Sequence, residues 1–143
     1  PFETLYISYN LNTPLGSQLS RQLKAGSDVR LVNSPSEAQA ILYVLGERRS
    51  RNAVAYNAYG DAREYELKLE VSFRLSAPDG AQYLPDTVIA AVREISYNEE
   101  DYLTRDAEEA LVINEMLSDI VVQMVRRIEK AQPPKQPEDL TTR

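Results

Sequence analysis

Residues 64–75 alternate without a break: Tyr65, Leu67, Leu69, Val71, Phe73 and Leu75 fall on one side, and Glu64, Glu66, Lys68, Glu70, Ser72 and Arg74 on the other. A repeat of two is the repeat of a β-strand. One apolar face against one charged face belongs to an antiparallel sheet that is covered on one side only. The rest of the chain must therefore bring apolar surface to one side of this strand and leave the other to water or to a partner. Immediately after it, Ala77-Pro78-Asp79-Gly80 has the residues of a hairpin turn, proline presetting φ and glycine taking positive φ. A further strand is expected over residues 83–97, with Val88, Ile89, Val92 and Ile95 as its apolar members. Pro85 places it at a sheet edge or marks a bulge near its start.

Upstream, Thr4-Leu5-Tyr6-Ile7-Ser8 has the β-branched and aromatic content of a short opening strand. Thr13-Pro14 is an N-cap followed by proline at the first helical position, and Leu15, Leu19 and Leu23 then share one helix face. Gly26 is expected as a left-handed stop. Val29, Leu31 and Ser34-Pro35-Ser36 read as an irregular return. The unbroken apolar run Ala40-Ile41-Leu42-Tyr43-Val44-Leu45 suits a strand buried on both faces, although periodicity alone does not separate it from a buried helix. Gly46 and the polar stretch beyond it carry that strand out as a hairpin arm, turning at Tyr59-Gly60-Asp61.

The last third has helical spacing. Asn98 is the expected N-cap, and Glu99, Glu100 and Asp101 complement the positive end of the helix dipole. Leu103, Ala107, Ala110, Asn114, Leu117, Val121, Met124 and Ile128 keep one side, and Leu111, Ile113, Ile120 and Val125 widen it into a stripe suited to packing on a sheet. Residues 132–143 hold three prolines and the composition of a disordered tail. The expected fold is α+β: a β-α-β-β-β-α domain over residues 1–131, with two helices packed on one face of a four-stranded mixed sheet.

A chain of 143 residues has the size of one domain and buries enough surface to need no disulfide or metal staple. Its formal charge of −6 argues against the basic face that nucleic acid requires. The local cluster Arg48, Arg49 and Arg51 is read as a solvated strand arm. The chain contains neither cysteine nor histidine, which removes disulfides, thiol chemistry, the commonest general base and the commonest metal ligand. No apolar run reaches the length of a membrane helix. The start at Pro1-Phe2-Glu3 leads to the expectation that a targeting or anchoring segment lies upstream.

No phosphate loop, nucleophile elbow or metal motif is present. The carboxylates Glu64, Glu66 and Glu70, and the cluster Glu99-Glu100-Asp101, are read as a solvated strand face and a helix start rather than acid–base pairs. The expectation is a binding protein, not an enzyme, with no cofactor and no metal. Nine tyrosines against two phenylalanines suit half-buried binding surfaces. Tyr56, Tyr59, Tyr97 and Tyr102 lie near expected strand ends and turns, where a partner would reach them.

Two motifs carry a resemblance. The first is Gly60-Asp61-Ala62-Arg63-Glu64-Tyr65-Glu66-Leu67, a turn entering a strand through a Glu-Tyr pair. The second is Tyr102-Leu103-Thr104-Arg105-Asp106-Ala107-Glu108, leading into Val112-Ile113-Asn114-Glu115-Met116. Together with the element order over residues 5–130, they resemble the lipopolysaccharide-assembly lipoprotein family LptE, also called RlpB, of Gram-negative bacteria. The resemblance implies two helices on one face of a sheet and an outer-membrane lipoprotein facing the periplasm. It also implies lodging inside the β-barrel partner LptD, assistance in assembling that barrel, and direct binding of lipopolysaccharide. The lipid-bearing cysteine it implies near the start is not in this sequence, so the anchor is expected upstream.

A basic position that the resemblance links to lipopolysaccharide binding falls on Arg105, whose guanidinium fork suits phosphate. Read without the resemblance, Arg105 would pair with Glu108 or Glu109 one turn on. A second basic position of the family, in the hairpin before the Glu-Tyr pair, is replaced here by Asn57, Ala58 and Tyr59, with Arg63 as the nearest substitute. The competing reading is a periplasmic protein–protein interaction module of the cell envelope with no lipid role.

Overall fold

The computed structural model describes residues 2–97 and 102–133. In chain order the elements are β1 (Thr4–Ser8), α1 (Pro14–Gly26), β2 (Arg30–Leu31), a 3-10 turn (Pro35–Glu37), β3 (Ala40–Tyr56), β4 (Ala62–Ser76), β5 (Gln82–Ser96) and α2 (Tyr102–Glu129). The sheet runs β2-β1-β3-β4-β5. β1 is parallel to both its neighbours, while β3, β4 and β5 form an antiparallel meander. Leu15, Leu19 and Leu23 of α1 join Met116, Ile120, Met124 and Ile128 of α2 in one core with the alternating residues of β4.

The sheet has five strands, not four. The segment read as an irregular return docks on the free edge of β1: Arg30 N–H donates to the Glu3 carbonyl at 2.8 Å and Val32 N–H to the Leu5 carbonyl at 2.9 Å. A two-residue strand satisfies backbone groups without any side-chain periodicity, so no pattern announces it.

The Thr13 hydroxyl caps α1, accepting from Gly16 N–H at 3.0 Å. Gly26 is not the left-handed stop expected of it; among the described residues only Gly60 and Gly80 have positive φ, at 85° and 95°. The helix closes through Ser27, whose hydroxyl donates to the Leu23 carbonyl at 2.6 Å from extended backbone. Gly60 and Gly80 occupy the two hairpin turns at the expected places.

Burial on both faces holds for Ala40, Ile41 and Leu42, whereas Leu45 is 45% exposed. The register shifts between Val44 and Gly46. This bulge exchanges the faces of everything beyond it. Glu47, Arg49 and Arg51 consequently pair with Val71, Leu69 and Leu67, on the helix side of the sheet. Pro85 answers to both expectations for it, since β5 is an edge strand and its register shifts between Leu84 and Thr87.

α2 divides in two. Its buried residues begin at Met116, while Leu103 and Leu111, expected in the packed stripe, are 80% and 67% exposed. The bulge sets charged rather than apolar side chains opposite the first turns of α2. The expected cap at Asn98, the acidic residues Glu99, Glu100 and Asp101, and residues 134–143 of the expected tail lie outside the described residues.

Candidate ligand and partner site

The wedge between the first half of α2 and the arm formed by β3, β4 and β5 collects the charged and aromatic residues. On the arm's helix side, β3 contributes Glu47, Arg49 and Arg51, β4 Tyr65, and β5 Arg93. Facing them, α2 carries Asp106, Glu109 and Asp119. Arg51 pairs with Glu109 at 3.1 Å, and Arg93 pairs with Asp119.

Four side chains form an array at the N-terminal end of α2. The Arg51 guanidinium lies 5.0 Å from the centroid of the Tyr65 ring. Tyr65 meets Tyr97 edge to face, with centroids 5.6 Å apart, and Arg105 lies 5.2 Å from the centroid of Tyr97. Each guanidinium thus faces the negative quadrupole of a ring, an attraction of about 0.5–1 kcal/mol at exposed sites. Tyr97 itself is 3% exposed, and among the described residues its hydroxyl has no hydrogen-bond partner. Burial raises its pKa, with Glu109 and Glu108 adding to the effect and Arg51 opposing it. Glu109 thus acts on the phenol without meeting hydrogen-bonding geometry, and the phenol stays a neutral O–H donor.

Beside the array a groove of 390 Å³ opens between β3 and α2, lined by Arg49, Arg51, Asp106, Glu109 and Ile113. Arg49 and Ile113 also line a neighbouring groove of 360 Å³, floored by Leu69 and Leu117. A charged lip therefore leads to an apolar floor.

Arg105 and Arg63, the two candidate ligand residues, both arrive at Tyr97. Arg105 reaches its ring, and the Arg63 carbonyl accepts the Tyr97 N–H at 2.8 Å. Of the tyrosines expected to meet a partner, Tyr56 is 63% exposed at the end of β3 and Tyr59 is 91% exposed in the turn. Asn57 Oδ1 holds that turn, accepting from the N–H groups of Tyr59 and Asp61 at 2.9 and 3.0 Å. Tyr97 lies on the helix side of the sheet instead, with its ring buried against the core beside Tyr65. The side chain of Tyr102 lies outside the described residues.

Sequence reasoning missed Arg51, Tyr65 and Glu109. By period alone Arg51 reads as solvated with its neighbours and Tyr65 as core, because the bulge that puts both on one face is invisible to a period count. Gly46, a glycine inside a strand, is the one signal for it. Glu109, considered as a partner for Arg105, also reaches across the wedge to pair with Arg51. Among the described residues no His, Cys, Asp or Glu side chains cluster to hold a metal ion, and no helix is long and apolar enough to cross a membrane.

Three solved structures share this architecture. Lipoprotein B of Nitrosomonas europaea matches with a TM-score of 0.77 at 26% identity, covering 90% of this chain and 83% of that one. The rare lipoprotein B of Shewanella oneidensis matches with a TM-score of 0.78 at 19% identity, covering 89% and 94%. A minor lipoprotein of Acinetobacter baumannii matches at 0.74 and 22% identity, covering 96% and 98%. No curated protein matches the sequence. The profile of the family LptE, described as lipopolysaccharide-assembly, matches residues 2–128, and the chain belongs to that family.

Proposed function

We propose that this chain binds lipopolysaccharide at the wedge between its sheet arm and the first half of α2, and occupies the β-barrel partner LptD as a periplasmic-side, lipid-anchored component of the outer membrane. The observation that carries the lipid part is the Arg51–Tyr65–Tyr97–Arg105 array. Guanidinium groups at both ends match the phosphates of a lipid A headgroup, through bidentate charge-assisted bonds. The half-buried Tyr65 ring beside Arg51 offers amphipathic surface to a sugar. Arg63 adds a third cation close by in the chain fold, its carbonyl accepting the Tyr97 N–H. The role is one of binding and placement, with no bond made or broken.

The test is a titration with a fluorescent lipid A probe at fixed salt, displaced by purified lipopolysaccharide. Saturable binding that Arg105→Glu abolishes supports the headgroup assignment. Unchanged affinity in that variant removes it.

A second reading, a cell-envelope interaction module without a lipid role, is favoured by one observation. The helix-free face exposes Val88 and Val92, 57% and 45%, on the edge strand β5, and Tyr56 and Tyr59 are exposed separately at the arm's tip. An exposed edge of this length invites strand addition. Normal co-purification with LptD in the absence of any lipid A binding would select this reading.

A further inference from the structure

We propose that the Glu109 carboxylate is a stand-in for a ligand phosphate: in the free protein it holds Arg51 over Tyr65, and an incoming phosphate displaces it, taking Arg51 and the Tyr97 hydroxyl as donors. The identity of the ligand rests on the lipopolysaccharide reading above; the exchange itself rests on three features of the wedge.

The first is the orphan hydroxyl. A buried phenol without an acceptor costs about 1–3 kcal/mol of desolvation that a made hydrogen bond would recover. Such groups persist where something absent from the free molecule completes them. Tyr97 is the only buried side chain of this kind among the described residues. The charges that act on it, Glu109, Arg51 and Glu108, belong to the wedge itself.

The second is the character of the Arg51–Glu109 pair. Its side chains are 52% and 21% exposed, and N and O meet through a single contact at 3.1 Å. A half-exposed, singly bonded pair is a weak one, worth about 0–1 kcal/mol. A phosphate offers the same guanidinium two parallel bonds and up to twice the charge. Stacking on Tyr65 keeps Arg51 oriented while the anion changes.

The third is room. The 390 Å³ groove opens at this pair, and Asp106 and Glu109 both belong to the half of α2 that buries none of its described side chains. Glu109 can therefore swing towards solvent without disturbing the core. Arg49, on the same lip, has no ion-pair partner among the described residues and remains available to a second anionic oxygen.

The experiment compares the wild type with Glu109→Gln, Arg51→Gln, the double variant and Tyr97→Phe, titrated with the lipid A probe at one salt concentration. Glu109→Gln keeps the size of the side chain and removes its charge. It should bind about two- to fivefold tighter, the scale of a released exposed ion pair. Arg51→Gln should weaken binding and, in the double variant, cancel the gain. Tyr97→Phe should weaken binding by about three- to tenfold, the scale of one hydrogen bond. Inorganic pyrophosphate as a competitor separates two sources of the chemistry: displacement with the same gain in Glu109→Gln assigns the exchange to phosphate alone, and a gain with the lipid only assigns it to the phosphorylated sugar. If the wild type binds and Arg105→Glu abolishes binding while Glu109→Gln is unchanged or weaker, the stand-in role fails and the lipopolysaccharide reading stands. If Arg105→Glu has no effect but Glu109→Gln gains through Arg51, the stand-in role holds and the Arg105 assignment fails. Silence from both the wild type and Glu109→Gln overturns both.

Discussion

Glu66 and Glu94 stand directly opposite one another in the β4–β5 ladder, on the face of the sheet that no helix covers. Neither takes part in an ion pair among the described residues, although Lys68 and Glu70 two and four places on do pair, at 3.2 Å. Like charges at directly opposed positions destabilise a sheet by about as much as opposite charges support it, on the order of 0.2–1 kcal/mol. Glu94→Lys should therefore stabilise the isolated domain by about that amount at low salt, with the gain shrinking as salt screens the pair. Urea midpoints at two ionic strengths check it. No gain at low salt would mean that the two carboxylates diverge into solvent.

Gly16 leads to a second expectation. Its N–H is the donor that the Thr13 cap accepts, and a Cβ built on it would lie 2.3 Å from the Asn10 carbonyl oxygen and 2.8 Å from the Leu11 Cα. Both atoms are backbone, so no rotamer change relieves the contact. Alanine would gain roughly 0.8–1 kcal/mol of helix propensity over glycine. Overpacking against backbone costs more, about 1–3 kcal/mol. Gly16→Ala should consequently lower the unfolding midpoint, in the opposite sense to propensity, and Thr13→Ala should lower it by about 1 kcal/mol through loss of the cap.

What the sequence made legible follows from which interactions leave a period. The alternation of β4, the Thr13 cap, the proline–glycine turn before β5 and the leucine face of α1 each tie side-chain chemistry to a local geometry, and each is found where expected. β2 was not legible because its two residues are held by backbone bonds alone. The left-handed stop at Gly26 was not, because a serine hydroxyl closes the same helix end by another route. The bulge at Leu45 had the largest consequence for the site. It turned Arg49 and Arg51 from an outward charge cluster into the lip of a groove, and it set charged rather than apolar side chains opposite the first turns of α2. Arg105 and Arg63 could be singled out from a family resemblance, but their shared neighbour Tyr97 is a long-range relation that no local window contains.

The two halves of α2 should answer differently to truncation. Met124 is fully buried in the core, and Met124→Ala should cost about 2–5 kcal/mol through lost transfer energy and the cavity left behind. Leu111 is 67% exposed, so Leu111→Ala should cost about 0.5 kcal/mol or less. Urea unfolding with unchanged m-values makes the comparison. A cost at Leu111 approaching that at Met124 would show the first half of the helix to be packed in solution, leaving no open wedge for a ligand.

Tyr9 should set part of the alkaline limit of the fold. Its hydroxyl donates to a Glu47 carboxylate oxygen, and its pKa is pushed up to about 12, first by burial and then by the hydrogen bond to Glu47 and that residue's charge. In the unfolded chain the phenol ionises near 10. The folded state therefore holds the proton where the unfolded state has released it, and between about pH 10 and about pH 12 stability must fall as pH rises. Below about pH 10 both states are protonated and the contribution is fully present. Tyr9→Phe removes this linkage. Near pH 8 it should cost about 0.5–1.5 kcal/mol, the lost hydrogen bond. Its stability should then decline less steeply than the wild type above about pH 10, so that the gap between the two curves closes before about pH 12. Because the other tyrosines are common to both proteins, their titration cancels in the difference. Parallel curves across that range would mean that Glu47 and Tyr9 are not bonded in solution, and with them would go the restraint that fixes Glu47 at the edge of the groove.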